Sequence, residues 1–265
     1  MSQGFCRLPT TTSIPFAFLS AYPYNTAMDQ QDVHNDETSR QRKMTCAICG
    51  VAAATTRDHV PPKGIFAEPR PSDLVTVPAC EACNADGSKY DETFRVHLSL
   101  QVGTETPATQ RLRTNGATRT VASNRKLRRQ VLESLEPTYL TTRGGIIIGK
   151  GYRGKWDSEA HDRVVERTTR GLYFHHFGEI LGAKANVVVR WFAKLTPEML
   201  EAASEYPQAS IGGDALIYRY GRAVDGPLYS IWLFQFYGRH WAGVSTTPAL
   251  RMLERTAVES AVSIR

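Results

Sequence analysis

The sequence predicts an α+β protein in two parts. A small cysteine-stapled strand–strand–helix module comes first, and a larger α+β domain with antiparallel strands follows. Three observations lead there. Two C-x-x-C pairs, Cys46/Cys49 and Cys80/Cys83, are separated by 30 residues, a spacing at which each pair turns back and all four sulfurs face one tetrahedral ion. From Ser158 to Leu181 the apolar residues Val164, Val165, Leu172, Phe177, Ile180 and Leu181 recur near helical spacing. Further on, ANVVVRWFAKL, ALIYRYGRA and LYSIWLFQFYGRHWAGVST are rich in β-branched and aromatic residues, as strands are.

Composition sets the outer bounds. The chain has 265 residues, 42% hydrophobic and 22% charged, which is ordinary for a globular domain with a real core. A net charge of +6 and a sequence pI near 9.1 lean toward a polyanionic partner. Of five cysteines, four fall in the two pairs and Cys6 is left over; this pattern points to metal in a reducing compartment rather than to a disulfide framework. No apolar run approaches the ~18 residues of a membrane span, so the expected location is the cytoplasm.

Taken in order, residues 1–43 read as a poorly ordered lead-in without chemistry, and Met28 or Met44 is an alternative natural start. In residues 44–103, Thr45 to Ala54 form a knuckle whose turn Gly50 permits. AATTRDHV is a strand that ends at Pro61-Pro62. DLVTVPAC is a second strand, which Pro78 breaks just before the second knuckle. A helix then starts with Ser88 as N-cap and Asp91 and Glu92 in its first turn. Residues 104–265 begin with a basic, irregular bridge in which Arg111, Arg113, Arg119, Arg125, Lys126, Arg128 and Arg129 face no acid between 111 and 129. It leads into a helix, NRKLRRQVLESLEP, capped by Asn124 or Ser123. The strip is read as contacting phosphates, with a solvated helix face as the alternative. Residues 144–156 form a strand and a glycine turn, Gly182 stops the long helix, and Thr196 with Pro197 opens a further helix. Arg163, Arg167 and Arg170 form a solvated face. One of His175 and His176 is a hydrogen-bonded core residue, and Trp232, Phe234 and Phe236 alternate as strand core.

Asp58 and His59 lie side by side inside the loop that the cysteines close. His59 is the candidate general base, because imidazole takes up a proton near neutral pH. An Asp-His pair there suggests a second, catalytic metal. His97 lies ~13 Å along the helix axis from a start at residue 88, at 1.5 Å per residue; it is therefore read as a partly buried helix residue, and Asp91 as an outside candidate for a supporting carboxylate.

DHVPPK, then DLVTVPACEACN, then SKYDETF resemble the HNH endonuclease superfamily over about residues 44–97. Within it they resemble a bacterial group in which Val-Pro-Pro-Lys follows the Asp-His. GLYFHHFGEIL (171–181) is similar to a segment that accompanies the module in that group. The resemblance implies a ββα-metal fold and hydrolysis of phosphodiester bonds, most naturally in DNA. Asp58 and Asn84 would hold a catalytic divalent ion, Mg²⁺ or Mn²⁺, next to His59, and structural Zn²⁺ would sit on Cys46, Cys49, Cys80 and Cys83. Lys63 and the basic strip would contact nucleic acid. Asp73 stands where the family carries an asparagine that pins the loop between the strands through backbone hydrogen bonds. An aspartate accepts such bonds but has no amide to donate. Two alternatives stay open: a non-catalytic zinc-stapled nucleic-acid-binding protein, and a defence or mobile-element effector nuclease gated by its C-terminal domain.

Overall fold

A computed structural model describes residues 44–100, 106–142, 144–154 and 157–249. The expectations for residues 1–43, for Cys6 and for an alternative start lie outside this range. Within it the fold is α+β and every sheet is antiparallel.

Strands β1 (Thr56–His59) and β2 (Thr76–Ala79) form a hairpin, with Asp58 opposite Val77 and His59 opposite Thr76. Pro78 does not break β2 but sits inside it opposite Arg57. Its carbonyl accepts from Ala47 N–H of the first knuckle at 2.9 Å, so its missing N–H faces the outer edge, where a proline costs no ladder bond.

Helix α1 (Glu81–Leu100) begins seven residues before the expected Ser88 cap. Asn84 N–H already donates to Cys80 O at 3.1 Å. The reason is geometric: two cysteines three apart meet on one side of a helical turn, so the second C-x-x-C is itself the first turn. Ser88 is an interior residue whose hydroxyl donates to Ala85 O.

The basic bridge is helical rather than irregular. Helices α2 (Pro107–Leu112) and α3 (Thr118–Ser123) are joined by a π-helical stretch, Arg113–Ala117, and Thr106 caps α2 with a reciprocal box to Thr109. Asn124 caps α4 (Arg125–Glu133) by accepting from Leu127 N–H. That helix ends before Leu135, and the residues expected to prolong it instead begin β3 (Leu135–Thr141), which pairs with β4 (Ile147–Gly154).

Helix α5 (Ser158–Phe177) stops one turn before Gly182, because Gly178 takes the left-handed conformation (φ 67°) that closes a helix. β5 (Ala185–Phe192), α6 (Pro197–Ser204, capped by Thr196), β6 (Gln208–Ile211), β7 (Leu216–Arg222), β8 (Ser230–Phe236) and β9 (His240–Pro248) complete the chain. The sheet order is β5-β9-β8-β7-β6. On β8 the alternation is as expected, with Trp232, Phe234 and Phe236 buried and Ile231, Leu233 and Gln235 half-buried. α5 crosses the buried face. Trp191 donates to Asp162 at 2.8 Å, and His176 Nε2 lies 2.8 Å from Tyr218 Oη and stacks on Tyr220. His176 is therefore the core histidine of the pair, and His175 is exposed.

One cluster of buried residues runs from Cys46 and Val60 through Phe94 and Leu172 to Trp232 and Val244. Gly171 makes the approach of α5 to the hairpin possible, since a Cβ there would lie 2.5 Å from Val60. Gly50 and Gly182 touch backbone to backbone, and a Cβ on Gly50 would stand 2.8 Å from the Cα of Gly182. The segment 171–181 thus leads straight onto the first knuckle.

Candidate functional site

The four cysteine sulfurs lie within 4.8 Å of one another, on the first knuckle and on the first turn of α1. Tetrahedral Zn–S bonds of ~2.3 Å place sulfurs ~3.8 Å apart, so the cluster could hold a metal ion such as zinc with little movement. Electrostatics across the four are uneven. Burial pushes Cys46 and Cys83 up, whereas at Cys49 the backbone amides of Ala52 and Val51 outweigh burial and bring the thiol down to about 7. Such N–H groups stabilise thiolate, the form that ligates.

Asp58 and His59 are adjacent on β1 and diverge as strand neighbours do. Asp58 is 7% exposed and points toward the helices. There Arg167 of α5 places Nε 3.6 Å from Asp58 Oδ2 and Nη2 2.6 Å from Asp91 Oδ1. Burial raises both carboxylates, Asp91 to about 6, against the pull of Arg167. Arg167 reaches them only because residue 87 is glycine, as a Cβ there would fall 1.0 Å from Nη1. The expected solvated arginine face is overturned at this residue, which is 6% exposed. It is overturned at Arg170 as well, which binds Glu166 and the carbonyls of Gly182 and Ala185. Arg163 is the most exposed of the three, at 57% of its side chain, and approaches Glu166 only at 3.9 Å. Together these arginines line a cleft of about 280 Å³ beside Cys49, Cys83 and Gly87.

His59 is half-buried, and burial first, then Lys63 and Arg70, push its pKa down. Its imidazole is therefore neutral at neutral pH, with two cationic side chains nearby. Asn84 belongs to the Thr56–Asp58 side of β1, since its amide nitrogen donates to Thr56 Oγ1 and Arg57 O, each at 3.4 Å. Its carbonyl oxygen has the chemistry of a hard-ion ligand.

For a divalent ion at Asp58 and Asn84 the oxygen donors suit Mg²⁺ or Mn²⁺, and Asp58 Oδ2 is buried without a hydrogen bond. Arg167 faces that same oxygen, so cation and guanidinium compete for it. Asp73, expected to pin the loop between the strands, has a partner outside that loop. Both its oxygens accept from Gly212 N–H, at 3.1 and 3.0 Å, tying the hairpin's loop to the β6–β7 turn. Tyr237 Oη donates to Ile65 O at 2.5 Å and ties the same loop to the β8–β9 turn.

His97 is half-buried on α1, with its Nδ1 2.9 Å from Thr93 O and its ring against His161, as expected for a helix residue away from the site. Leu127 docks α4 against Val96 and Ala117, so that Arg125, Lys126, Arg128 and Arg129 are exposed. Arg111 and Arg119 are exposed too, while Arg113 is half-buried and Lys63 lies exposed four residues after His59. Sequence reasoning missed Arg70 beside His59 and the role of Arg167. Gly87, inside a helix, was the only local hint of the latter.

Comparison of the chain with protein-family models, with curated proteins and with solved structures finds no match. Among the described residues no helix is long and apolar enough to cross a membrane.

Proposed function

We propose that the chain is a metal-dependent endonuclease of the HNH type that hydrolyses phosphodiester bonds in DNA. The observation that carries this reading is one arrangement. His59 stands at the end of a strand beside Asp58, with Asn84 on the first turn of the next helix and four cysteines clustered between the first knuckle and the start of that helix. Zinc on the cysteines would have a purely structural role. A divalent ion on Asp58 and Asn84 would supply charge neutralisation at the phosphate. His59 takes the proton of the attacking water, and Lys63 and Arg70 draw the phosphate toward it.

The test is cleavage of plasmid in Mg²⁺ or Mn²⁺ by wild type and by His59→Ala. Loss of a general base lowers the rate by about 10²–10⁴. If wild type cuts no better than the variant in either metal, the enzymatic reading fails, and salt-sensitive binding that survives the substitution identifies a non-catalytic binder.

The Arg167–Asp58 contact favours a second reading, a nuclease that is silent until a factor acts. While the guanidinium holds Asp58, the ion must compete for that carboxylate. This reading requires wild type to be inactive alone and to cut, with His59 still needed, once the factor is supplied.

A further inference from the structure

Among the described residues, the β3–β4 hairpin is the two-stranded sheet without a buried side chain. Its two strands pair only with each other. Two-stranded ribbons are marginal in water without a covered face, and bare apolar edges invite unwanted pairing. Yet this one exposes large side chains. The register puts Tyr139 opposite Lys150 and Pro137 opposite Tyr152, so Tyr139, Tyr152 and Lys150 share one face. Tyr139 is 61% exposed and Tyr152 70%. Diagonal neighbours on such a face are ~7–8 Å apart, near enough for two rings to act together.

Charge identifies the kind of partner. From Arg111 to Lys155, the stretch that contains α4 and the hairpin, there are eleven Lys/Arg and two Glu, a net of +9 in a chain whose total is +6. The positive excess of the whole molecule is thus concentrated here, and the remainder is slightly acidic. Exposed aromatic rings interleaved with cations suit a strand of nucleic acid with unpaired bases. Bases stack on the rings regardless of sequence, while Lys/Arg neutralise the phosphates.

We propose that this face of the hairpin, with Tyr139, Lys150 and Tyr152, binds single-stranded or unpaired nucleic acid, and that Arg125, Lys126, Arg128 and Arg129 of α4, directly before it in the chain, add phosphate contacts. The proposal rests on a nucleic-acid substrate and specifies its class. Tyr139 and Tyr152 stack on bases, and the basic side chains hold the backbone.

The experiment is fluorescence anisotropy with the full chain, without added Mg²⁺ or Mn²⁺, on a labelled single-stranded oligonucleotide and on the same sequence as a blunt duplex. Tyr139→Ser/Tyr152→Ser is expected to weaken single-strand binding by roughly 30-fold or more, the effect of losing two stacked bases, and duplex binding much less. Tyr139→Phe/Tyr152→Phe, which keeps the rings, is expected to bind as wild type. Single-strand binding unchanged by the serine pair would overturn the proposal, and so would a phenylalanine pair as weak as the serine pair. Wild-type self-association by sedimentation that the serine pair abolishes, with oligonucleotide binding intact, would assign the face to a second copy of the chain instead. Plasmid cleavage in Mg²⁺ or Mn²⁺ that is no better than that of His59→Ala refutes the nuclease reading itself, whereas retained cleavage with no preference for binding the single strand refutes only the hairpin's role.

Discussion

Arg167 faces Asp58 across the seam between α5 and β1, and the same guanidinium binds Asp91 of α1 at 2.6 Å. Two buried carboxylates from different elements therefore share one buried cation, and the residue read as the metal ligand is also a structural partner. Breaking a buried pair leaves an uncompensated charge, which costs about 3–5 kcal/mol. Arg167→Met is expected to lose that much stability in urea unfolding at neutral pH. The same variant is expected to bind Mn²⁺ more tightly than wild type, because the competitor for Asp58 is gone. A loss under ~1 kcal/mol, within the range of an ordinary surface pair, would show that the trio does not hold the seam.

Gly87 gives a prediction of opposite sign to helix propensity. Gly→Ala inside a helix ordinarily gains about 1 kcal/mol. Here the new Cβ would meet Arg167 Nη1 at 1.0 Å, so Gly87→Ala is expected to destabilise by about 2 kcal/mol, as displaced buried partners do. In an Arg167→Met background the collision is relieved and the same change becomes neutral or stabilising. Thermal unfolding of the double-mutant cycle measures this coupling directly.

The cysteine cluster predicts one zinc per chain by elemental analysis and less than half of that in Cys83→Ser. Because Cys80 directly precedes α1 and Cys83 lies in its first turn, removing an ion held there would fray the helix that carries Asn84. Metal-site binding energy is largely folding energy, so a strong chelator is expected to lower the unfolding midpoint of wild type by ten degrees or more and to leave that of the serine variant unchanged.

Acid sensitivity follows from buried histidines outside the site. Burial lowers His161 to about 3 and His176 and His240 to about 4. His161 is packed by Phe94, Trp191 and His97, with His240 near; His176 sits beside His175 and Tyr218, and His240 beside Arg239 and His97. Unfolded, each imidazole titrates near 6.5. Below that value the unfolded chain binds more protons, so stability is full above about 6.5 and declines as pH falls toward 4. His161→Phe is expected to flatten this decline by about 1–3 kcal/mol between pH 6.5 and 4, read from urea midpoints at both pH values.

Much of the local structure was legible because it depends on near neighbours. The C-x-x-C spacing led to the cluster, the Thr196-Pro197 and Asn124 caps stood where expected, and the alternation of β8 identified its buried face. The errors arose where a distant partner outweighed a local preference. Ser88 is a good N-cap, but the cysteine turn starts α1 earlier. Leu135 reads as the end of a helix, but pairing with Gly154 makes it a strand. Arg167 has helical spacing with Arg163 and Arg170, yet two carboxylates and a missing Cβ draw it inside.

The class of fold and the four cysteines that could hold a metal ion were readable from the chain, because residue type and short spacing carry that chemistry, while the nuclease reading of Asp58, His59 and Asn84 came with the family resemblance. The tertiary structure alone decided what those residues touch. Asp58 meets Arg167, 109 positions away in the chain, and Asp73 meets Gly212, 139 positions away. No local pattern encodes such contacts, since they exist only once α5 and the sheet have packed against the hairpin and placed charge opposite charge.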